Sequence, residues 1–401
     1  MCIRDRFIRE NISSILFFCV SFSSIDYLRS KIFTGFPWNL WAYSFSSYTE
    51  LLQLLNLVGL FAFNLISLTI FCIPIIFFLK RNLINFLTFI VSIFAIFSCY
   101  IYGSFVINSN LEIKNKSIAN IKIISPNFDL KYNLSENEIE DLLLKLSKYS
   151  EPNKEKKTLF VWPEGVFTGF DVETISKNKK IIKDKFSKNH TIIFGINTLN
   201  QETGLYNNSL VAINHDFEII YQYDKKKLVP FGEFLPFEKY LNRAGLKKIT
   251  QGHGSFSVGK AEQKNFEFDS LNILPLICYE IIFPELVQNA KPNTNLIINI
   301  SEDAWFGGSI GPHQHFTKAI FRAIESNSYV VRSANQGISA FIDNRGKIIK
   351  SLKPNETGNI ELNISFINSK FKNRNDLIFF ILLFTYTIIF FTLRNKLNDK
   401  K

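Results

Sequence analysis

The chain has 401 residues, 47% of them hydrophobic, with 42 phenylalanines and a formal net charge of +11 at pH 7. That length holds one large domain plus additional elements, and the charge fits an anionic partner, either nucleic acid or a membrane surface. No basic–aromatic nucleic-acid motif stands out, whereas long apolar stretches do, so nucleic acid is excluded in favour of the lipid bilayer.

Residues 1–10 are hydrophilic, with Arg4, Arg6 and Arg9, and lack the small-residue cleavage site of a signal peptide. Residues 12–28 predict a first spanning helix, interrupted by serines and Asp26. The aromatic, Gly- and Pro-containing run Phe33–Tyr43 predicts a non-helical loop at the membrane–water interface, serving either as an aromatic belt or as a substrate contact. Residues 54–79 and 83–106 predict two more spans, joined by Lys80-Arg81-Asn82. A last span, 377–393, runs into a basic tail with Arg394, Lys396, Lys400 and Lys401. Positive charge places the turn and the tail in the cytoplasm, so the middle of the chain is delivered to the outer side.

That middle region alternates β-rich runs with helix-like stretches. The runs are 119–125, 158–162, 191–195, 208–214, 217–222, 272–278, 295–300, 329–334 and 338–343; the helices are 136–149, 172–186 and 313–327. Alternation of this kind predicts a layered α/β domain. The expected organisation is therefore transmembrane helices over 1–107 (about three spans), an extracytoplasmic domain over 108–372, and a C-terminal span with a cytoplasmic tail over 373–401.

Of five cysteines only Cys278 falls in the middle region, which leaves no disulfide partner and no metal-ligand spacing there. The apolar strand Ile273–Ile277 leads into Cys278-Tyr279-Glu280, and Pro284 follows where a helix could open. A cysteine at a strand-to-helix turn is either a buried inert thiol or an exposed nucleophile with backbone N–H groups facing an oxyanion. Three other places concentrate polar residues at strand ends. They are Trp162-Pro163-Glu164, the run from Tyr223 through three lysines to Glu233, and Ser301–Gly308 with His313 and His315 beyond it. A free thiol is mostly protonated near neutrality, so Glu164 is the candidate base and Lys225 the candidate cation. His313 and His315 could approach in space, but no histidine neighbours the cysteine in sequence. Lysine, asparagine, isoleucine and phenylalanine are heavily used throughout, so single asparagines and lysines are discounted.

The ordered set Glu164, Lys225, Cys278 resembles the nitrilase (carbon–nitrogen hydrolase) superfamily. More closely, the chain resembles its membrane-integrated branch, the apolipoprotein N-acyltransferases. The resemblance is carried by Thr34-Gly35-Phe36-Pro37-Trp38, Trp162-Pro163-Glu164, Leu228–Glu233, Cys278-Tyr279-Glu280, Asp303–Gly307 and Arg332–Gly337. It implies an αββα sandwich inserted between transmembrane helices, with Cys278 as nucleophile, Glu164 as general base and Lys225 as oxyanion-stabilising lysine. Lys225 is chosen among three lysines because it follows Tyr223 by two and precedes Glu233 by eight, the spacing of the motif the chain resembles. Glu233, Glu280, Trp305, Pro37 and Trp38 are implied supporting or substrate-contacting residues, and the Tyr279 N–H an oxyanion donor. No cofactor or metal is implied.

Three departures stand out. Glu302 occupies a position where the family has Asn, the tryptophan expected after Ser125-Pro126-Asn127 has at best Tyr132 as counterpart, and the family has more spans upstream. The opening Met1–Arg6 is unlike the family's, which implies a truncated or misassembled start. The implied reaction passes an acyl chain from a phospholipid, phosphatidylethanolamine, through a Cys278 thioester to the N-terminal amine of a diacylglyceryl apolipoprotein. The implied location is the bacterial inner membrane with the catalytic domain on the periplasmic side. The alternatives are a membrane-tethered amidase, in which water is the second nucleophile, a binding module and, more remotely, a transporter. Phe234–Lys248 fits either a lipid-dipping segment or a plain surface helix, and Phe167 and Phe170 either an acyl path or packing.

Overall fold

The computed structural model describes residues 12–78, 83–109, 117–131, 134–243, 245, 255–291, 293–366 and 376–398. Outside these lie Arg4, Arg6 and Arg9, the Lys80–Asn82 turn, Tyr132, Leu246–Lys248, and Lys400 and Lys401. The chain divides into two compact units, one of residues 1–110, 324–326 and 372–401, the other of residues 111–323 and 327–371.

In the first unit, α1 (Ile12–Lys31), α2 (Leu60–Cys72) and α3 (Leu83–Asn108) precede the main part of the second unit in sequence, and a helix over Leu377–Asn398 follows it. Ile12–Lys31, Asn85–Asn108 and Leu377–Arg394 are long and apolar enough to cross a membrane. Residues 54–78 do not form one continuous helix. A short helix, Leu54–Val58, stops at Gly59, whose φ of 80° and ψ of 171° break the helical ladder, and beyond α2 the chain tightens into a 3₁₀ turn from Ile73. Gly59 reaches that conformation without a Cβ penalty, and Pro74 withholds the amide a continuing helix needs.

Tyr27 of α1 stacks on Phe379 of the C-terminal helix at 5.0 Å and meets Phe61 of α2 edge-on at 4.9 Å. Asp26 is buried, pairs with Arg29 at 2.8 Å and accepts from Asn64 Nδ2 at 3.0 Å, while Asn64 Oδ1 takes the Ala42 N–H at 3.1 Å. The acid that interrupts the apolar run therefore ties the following loop to α2 instead of facing lipid.

The second unit holds two six-stranded sheets. The first contains β1 (Ser117–Ser125), β2 (Thr158–Val161), β3 (His190–Leu199), β4 (Tyr206–Ile213), β5 (Ile219–Asp224) and β12 (Gly358–Phe366) in the order β12-β1-β2-β3-β4-β5. The second contains β6 (Phe266–Phe268), β7 (Leu271–Ile277), β8 (Leu296–Glu302), β9 (Tyr329–Asn335), β10 (Ser339–Ile342) and β11 (Ile348–Leu352) in the order β11-β10-β9-β8-β7-β6.

β2 shows why its sequence is apolar without alternation. Leu159 and Val161 point into a core shared by both sheets, while Phe160 and Trp162 point into a second core beneath helices, so every residue is covered. β3 and β4 split the same way, with Ile193, Leu210 and Ala212 inward and Ile192, Phe194, Val211 and Ile213 outward. The outer core is closed by α4 (Glu136–Ser150), α5 (Val172–Ser176) and α6 (Lys179–Lys185) through Ile139, Leu143, Leu146, Ile175 and Ile182. α4 starts at a capping box. Ser135 Oγ accepts from the Glu138 N–H and Glu138 Oε2 from the Ser135 N–H, a cap worth about 0.5–2 kcal/mol.

In the second sheet the parallel pairs β7–β8 and β8–β9 need crossovers, supplied by α7 (Pro284–Gln288) and α8 (Gly311–Ser326). The first sheet occupies the inner face, so these helices cover the outer one, completing an αββα sandwich. The stretch 172–186 is two helices, broken at Lys177-Asn178. β6, β11 and β12 carried no clear mark in the sequence: β6 spans three residues, β11 is exposed over Ile348–Ser351, and β12 interleaves Asn and Glu with Ile360, Leu362 and Ile364.

Candidate active site

β7 is buried at all seven positions and ends at Ile277, so Cys278 lies one residue beyond the strand. There the chain turns into a 3₁₀ segment, Cys278–Ile282, before α7 opens on Pro284 as its sequence suggested. Cys278 has φ +48°, a left-handed conformation costing a residue with Cβ on the order of 1–3 kcal/mol. This is the geometry of a nucleophile elbow, in which a sharp turn projects the side chain from the strand end.

Glu164 follows β2 by three residues and is 8% exposed. Its Oε1 accepts from Asn208 Nδ2 at 2.8 Å and lies 3.5 Å from Lys225 Nζ, and its Oε2 accepts from the Glu302 N–H at 3.0 Å. Lys225, one residue past β5, is 1% exposed and donates to Glu233 Oε1 at 2.8 Å. Glu233 also takes Asn208 Nδ2 at 2.6 Å and, on Oε2, the Val229 N–H at 2.8 Å. The ends of β2 and β5 thus converge on one ammonium held between two carboxylates, with Asn208 of β4 bridging both.

The electrostatics follow from burial. Desolvation works against the Lys225 ammonium, but Glu164 and Glu233, helped by Cys278, hold its pKa above the ordinary lysine range, so it stays charged. Burial pushes the Cys278 thiol up, and the Glu164 and Asp303 charges add to this, while Lys225 and a hydrogen bond with Ser301 pull it back. At rest Cys278 is therefore a thiol, and it could act as a nucleophile only with a base to take its proton.

Glu280 is fully buried, and its hydrogen bonds run to Tyr223 and to the main chain. It accepts from Tyr223 Oη on both oxygens at 3.1 Å, from the Lys226 and Lys227 N–H groups at 2.7 and 3.1 Å, and from the Ile277 N–H at 2.8 Å. One carboxylate so fastens the lysine loop to the peptide before the elbow. The Tyr279 ring packs edge-on against Phe283 at 4.9 Å.

Trp305 is 49% exposed on the turn Ala304–Phe306. Pro37 and Trp38 belong to the first unit, where the Pro37 carbonyl accepts from Tyr43 Oη at 3.2 Å and Trp38 stacks on Phe36 at 6.1 Å. His313 is exposed, whereas His315 is buried with Nε2 3.1 Å from the Cys278 carbonyl, a contact to the main chain. Phe167 lies in the core between the first sheet and its helices and Phe170 packs against it, so packing accounts for both. Asn208 is one of many asparagines in the sequence, and what distinguishes it is its place near the start of β4, where the pairing with β5 sets Ser209 opposite Asp224. Among the described residues there is no cluster of His, Cys, Asp and Glu suited to a metal ion.

Residues 130–368 match the carbon–nitrogen hydrolase family model, and residues 2–73 match that of the apolipoprotein N-acyltransferase N-terminal domain. Three curated relatives are named apolipoprotein N-acyltransferase. The one from Rhizobium rhizogenes is 30% identical over 86% of this chain and 66% of its own, and that from Rhizobium leguminosarum bv. trifolii is 31% identical over 88% and 68%. The Rickettsia bellii protein is 32% identical over 96% of this chain and 78% of its own. The chain therefore spans about two thirds to three quarters of the length of these relatives. A Nesterenkonia amidase of the nitrilase superfamily superposes on 63% of this chain and 93% of its own, with a TM-score of 0.44 and 15% identity. With both family models placed in the expected order along the sequence and about 30% identity over most of its length, the chain belongs to the apolipoprotein N-acyltransferase family.

Proposed function

We propose that Cys278 receives an acyl chain from a phospholipid and passes it, as a thioester, to the N-terminal amine of a diacylglyceryl apolipoprotein. Membership of the family makes the chain an acyltransferase with lipid and lipoprotein substrates. The observation that carries the mechanism is the Glu164–Lys225–Glu233 cluster, in which Glu164 and Lys225 are buried and Glu233 partly so, electrostatically coupled to a thiol on a strained elbow.

In the first step Glu164 takes the Cys278 proton and the thiolate attacks the ester carbonyl, placing negative charge on its oxygen. Lys225 and the Tyr279 N–H stabilise that oxyanion. Collapse breaks the acyl C–O bond, and the leaving lysophospholipid oxygen takes the proton from Glu164. In the second step the apolipoprotein amine attacks the thioester, Glu164 accepts the amine's proton, and the thiolate departs and is reprotonated. A thioester traps the chain yet remains open to an amine. The low exposure of Lys225, Glu164 and Cys278, 1%, 8% and 9%, supports exclusion of the water that would otherwise hydrolyse it.

Phosphatidylethanolamine is the proposed donor, and the periplasmic side of the bacterial inner membrane the proposed location. Exposed Phe231, Phe237, Tyr240 and Trp305 support contact of the catalytic unit with lipid. The test incubates the protein in liposomes with phosphatidylethanolamine carrying a labelled acyl chain and reads intact mass. An adduct on wild type, absent from Cys278→Ala and transferred to a diacylglyceryl-cysteine peptide, is the expected result. No adduct, with turnover of a small amide, would replace acyl transfer by amide hydrolysis.

A further inference from the structure

Behind the elbow lies a chain of buried polar groups that the proposed chemistry does not use: His315, Asp303, Arg332 and Asn299, each at most 1% exposed. His315 Nε2 is 3.1 Å from the Cys278 carbonyl oxygen, and Asn299 Nδ2, which donates to the Leu276 carbonyl at 3.1 Å, reaches the same oxygen at 3.5 Å. A carbonyl only accepts, so Nε2 carries a proton. On the other edge of the ring, Nδ1 lies 3.0 Å from Asp303 Oδ1 and 3.2 Å from Arg332 Nη2. Arg332 Nη2 donates to both Asp303 oxygens, at 3.0 and 2.8 Å, and Arg332 Nη1 donates to Asn299 Oδ1. Ser301 Oγ donates to Asp303 Oδ1 at 2.7 Å. One guanidinium thus braces both side chains that reach the Cys278 carbonyl.

The consequence lies in the geometry of the peptide bond. The Cys278 C=O and the Tyr279 N–H belong to one planar trans unit and point in opposite directions. Holding the oxygen therefore sets the direction of the N–H. The hold is needed because the elbow is strained at φ +48° and would relax without external anchors.

We propose that His315 is a positioning residue that aims the Tyr279 N–H at the oxyanion by anchoring the Cys278 carbonyl, with Asp303, Arg332 and Asn299 fixing the imidazole and its companion donor. This rests on the acyl-transfer function above. The imidazole acts on the main chain and does not exchange a proton with substrate, so its effect is confined to reactions that build an oxyanion.

Two reactions of Cys278 in the full chain separate that role from support of the fold. Acylation by a p-nitrophenyl acyl ester passes through a tetrahedral oxyanion, whereas alkylation by iodoacetamide is a displacement at a saturated carbon that forms none. His315→Leu is expected to slow acylation about 10- to 100-fold, below the ~10²–10³ for outright loss of an oxyanion donor, and to change alkylation less than about threefold. His315→Gln, whose amide nitrogen can donate to the same carbonyl, is expected to recover most of the rate. His315→Asn keeps a partner for Asp303 but falls short of the Cys278 oxygen, and serves as the loss variant if His315→Leu does not fold. Equal losses in both reactions, or none in either, would overturn the role of His315 and leave acyl transfer standing. Selective loss with the activated ester, but no wild-type adduct from phosphatidylethanolamine, would instead overturn the phospholipid donor and keep the role of His315.

Discussion

The backbone N–H of Glu302 donates to Glu164 Oε2 at 3.0 Å, and the Glu302 carboxyl rests on the residue next to Glu164, where a Cβ on Gly165 would come within 2.1 Å of its Oε2. Gly165 also has φ +78°, so space and backbone both demand glycine there. The proposed base and a second buried carboxyl are therefore neighbours. Neutral groups hold Glu302: Asn335 Nδ2 at 2.9 Å and the Ala304 N–H at 3.0 Å.

Burial, and then the Glu164 and Asp303 charges, push the Glu302 pKa well above the usual carboxylate range, against the pull of Asn335 and Ala304. The folded state then keeps a proton that the unfolded chain releases near pH 4.3, so stability falls as pH rises from there towards the folded pKa. Glu302→Gln removes that slope. Its Tm should exceed that of wild type by a margin that widens from about pH 5 upward. A pH series of melting curves in detergent checks this, and parallel curves would show Glu302 to be ionised in the folded state.

Lys225 is placed between Glu164 Oε1 and Glu233 Oε1 with almost no solvent access. Lys225→Met leaves two carboxylates buried together, and stripping one partner from such a set costs about 3–5 kcal/mol. It also removes the cation proposed for the oxyanion, so acyl-adduct formation should fall by at least ~10³. Lys225→Arg should recover part of the Tm but little of the rate, because the planar guanidinium cannot occupy the point position of the ammonium. Adduct formation near the wild-type rate in Lys225→Met would reassign the oxyanion to other donors.

The candidate site was legible where chemistry forces a rare combination. A carboxylate after an apolar strand and one cysteine in the whole middle region stand out against any composition, whereas Lys225 is separated from Lys226 and Lys227 only by the spacing of the motif the chain resembles. Asn208 did not, because in an asparagine-rich chain nothing local separates the residue that bridges Glu164 and Glu233 from its neighbour Asn207. Hydropathy marked residues 54–79 as one span because Val58 and Leu60 around the break at Gly59 are as apolar as the helices they interrupt. His315 was visible only as a residue that could approach. That it meets the Cys278 carbonyl depends on the register of α8 over the end of β7, which no short sequence window contains.

Asn208 supplies the next prediction. Its Nδ2 donates to Glu164 at 2.8 Å and Glu233 at 2.6 Å, and its carbonyl takes the Lys225 N–H at 2.9 Å. Asn208→Leu deprives both carboxylates of a neutral donor while the main-chain bond stays, at a cost of about 1–3 kcal/mol for each unsatisfied group. Asn208→Asp adds a third carboxyl facing the other two and should be the worse variant, with a deficit that shrinks as pH is lowered and the new group protonates. Adduct rates measured between about pH 5 and 8 distinguish the two. Equal, pH-independent losses would mean that Asn208 acts by shape alone.

Glu280 is where the lysine loop and the elbow are joined, so its loss should be felt at both. A glutamine there keeps one acceptor oxygen but turns an NH₂ towards either the Ile277 N–H or the Lys226 and Lys227 N–H groups, leaving donor facing donor. Glu280→Gln should therefore lower the Tm and slow Cys278 acylation together, although the hydrogen bonds of Glu280 run to Tyr223 and to the main chain. The Tyr223 Oη bond to both oxygens lets the connection be measured apart from general destabilisation. In a double-mutant cycle with Tyr223→Phe, residues that share one network give coupling energies of about 0.5–3 kcal/mol, whereas independent sites add. Coupling in both the stability and the acylation barrier is expected, because the same carboxylate sets the positions of Lys225 and Cys278. Coupling in stability with strict additivity in rate would mean that the loop and the elbow hold their catalytic geometry separately, and that Glu280 serves only the fold.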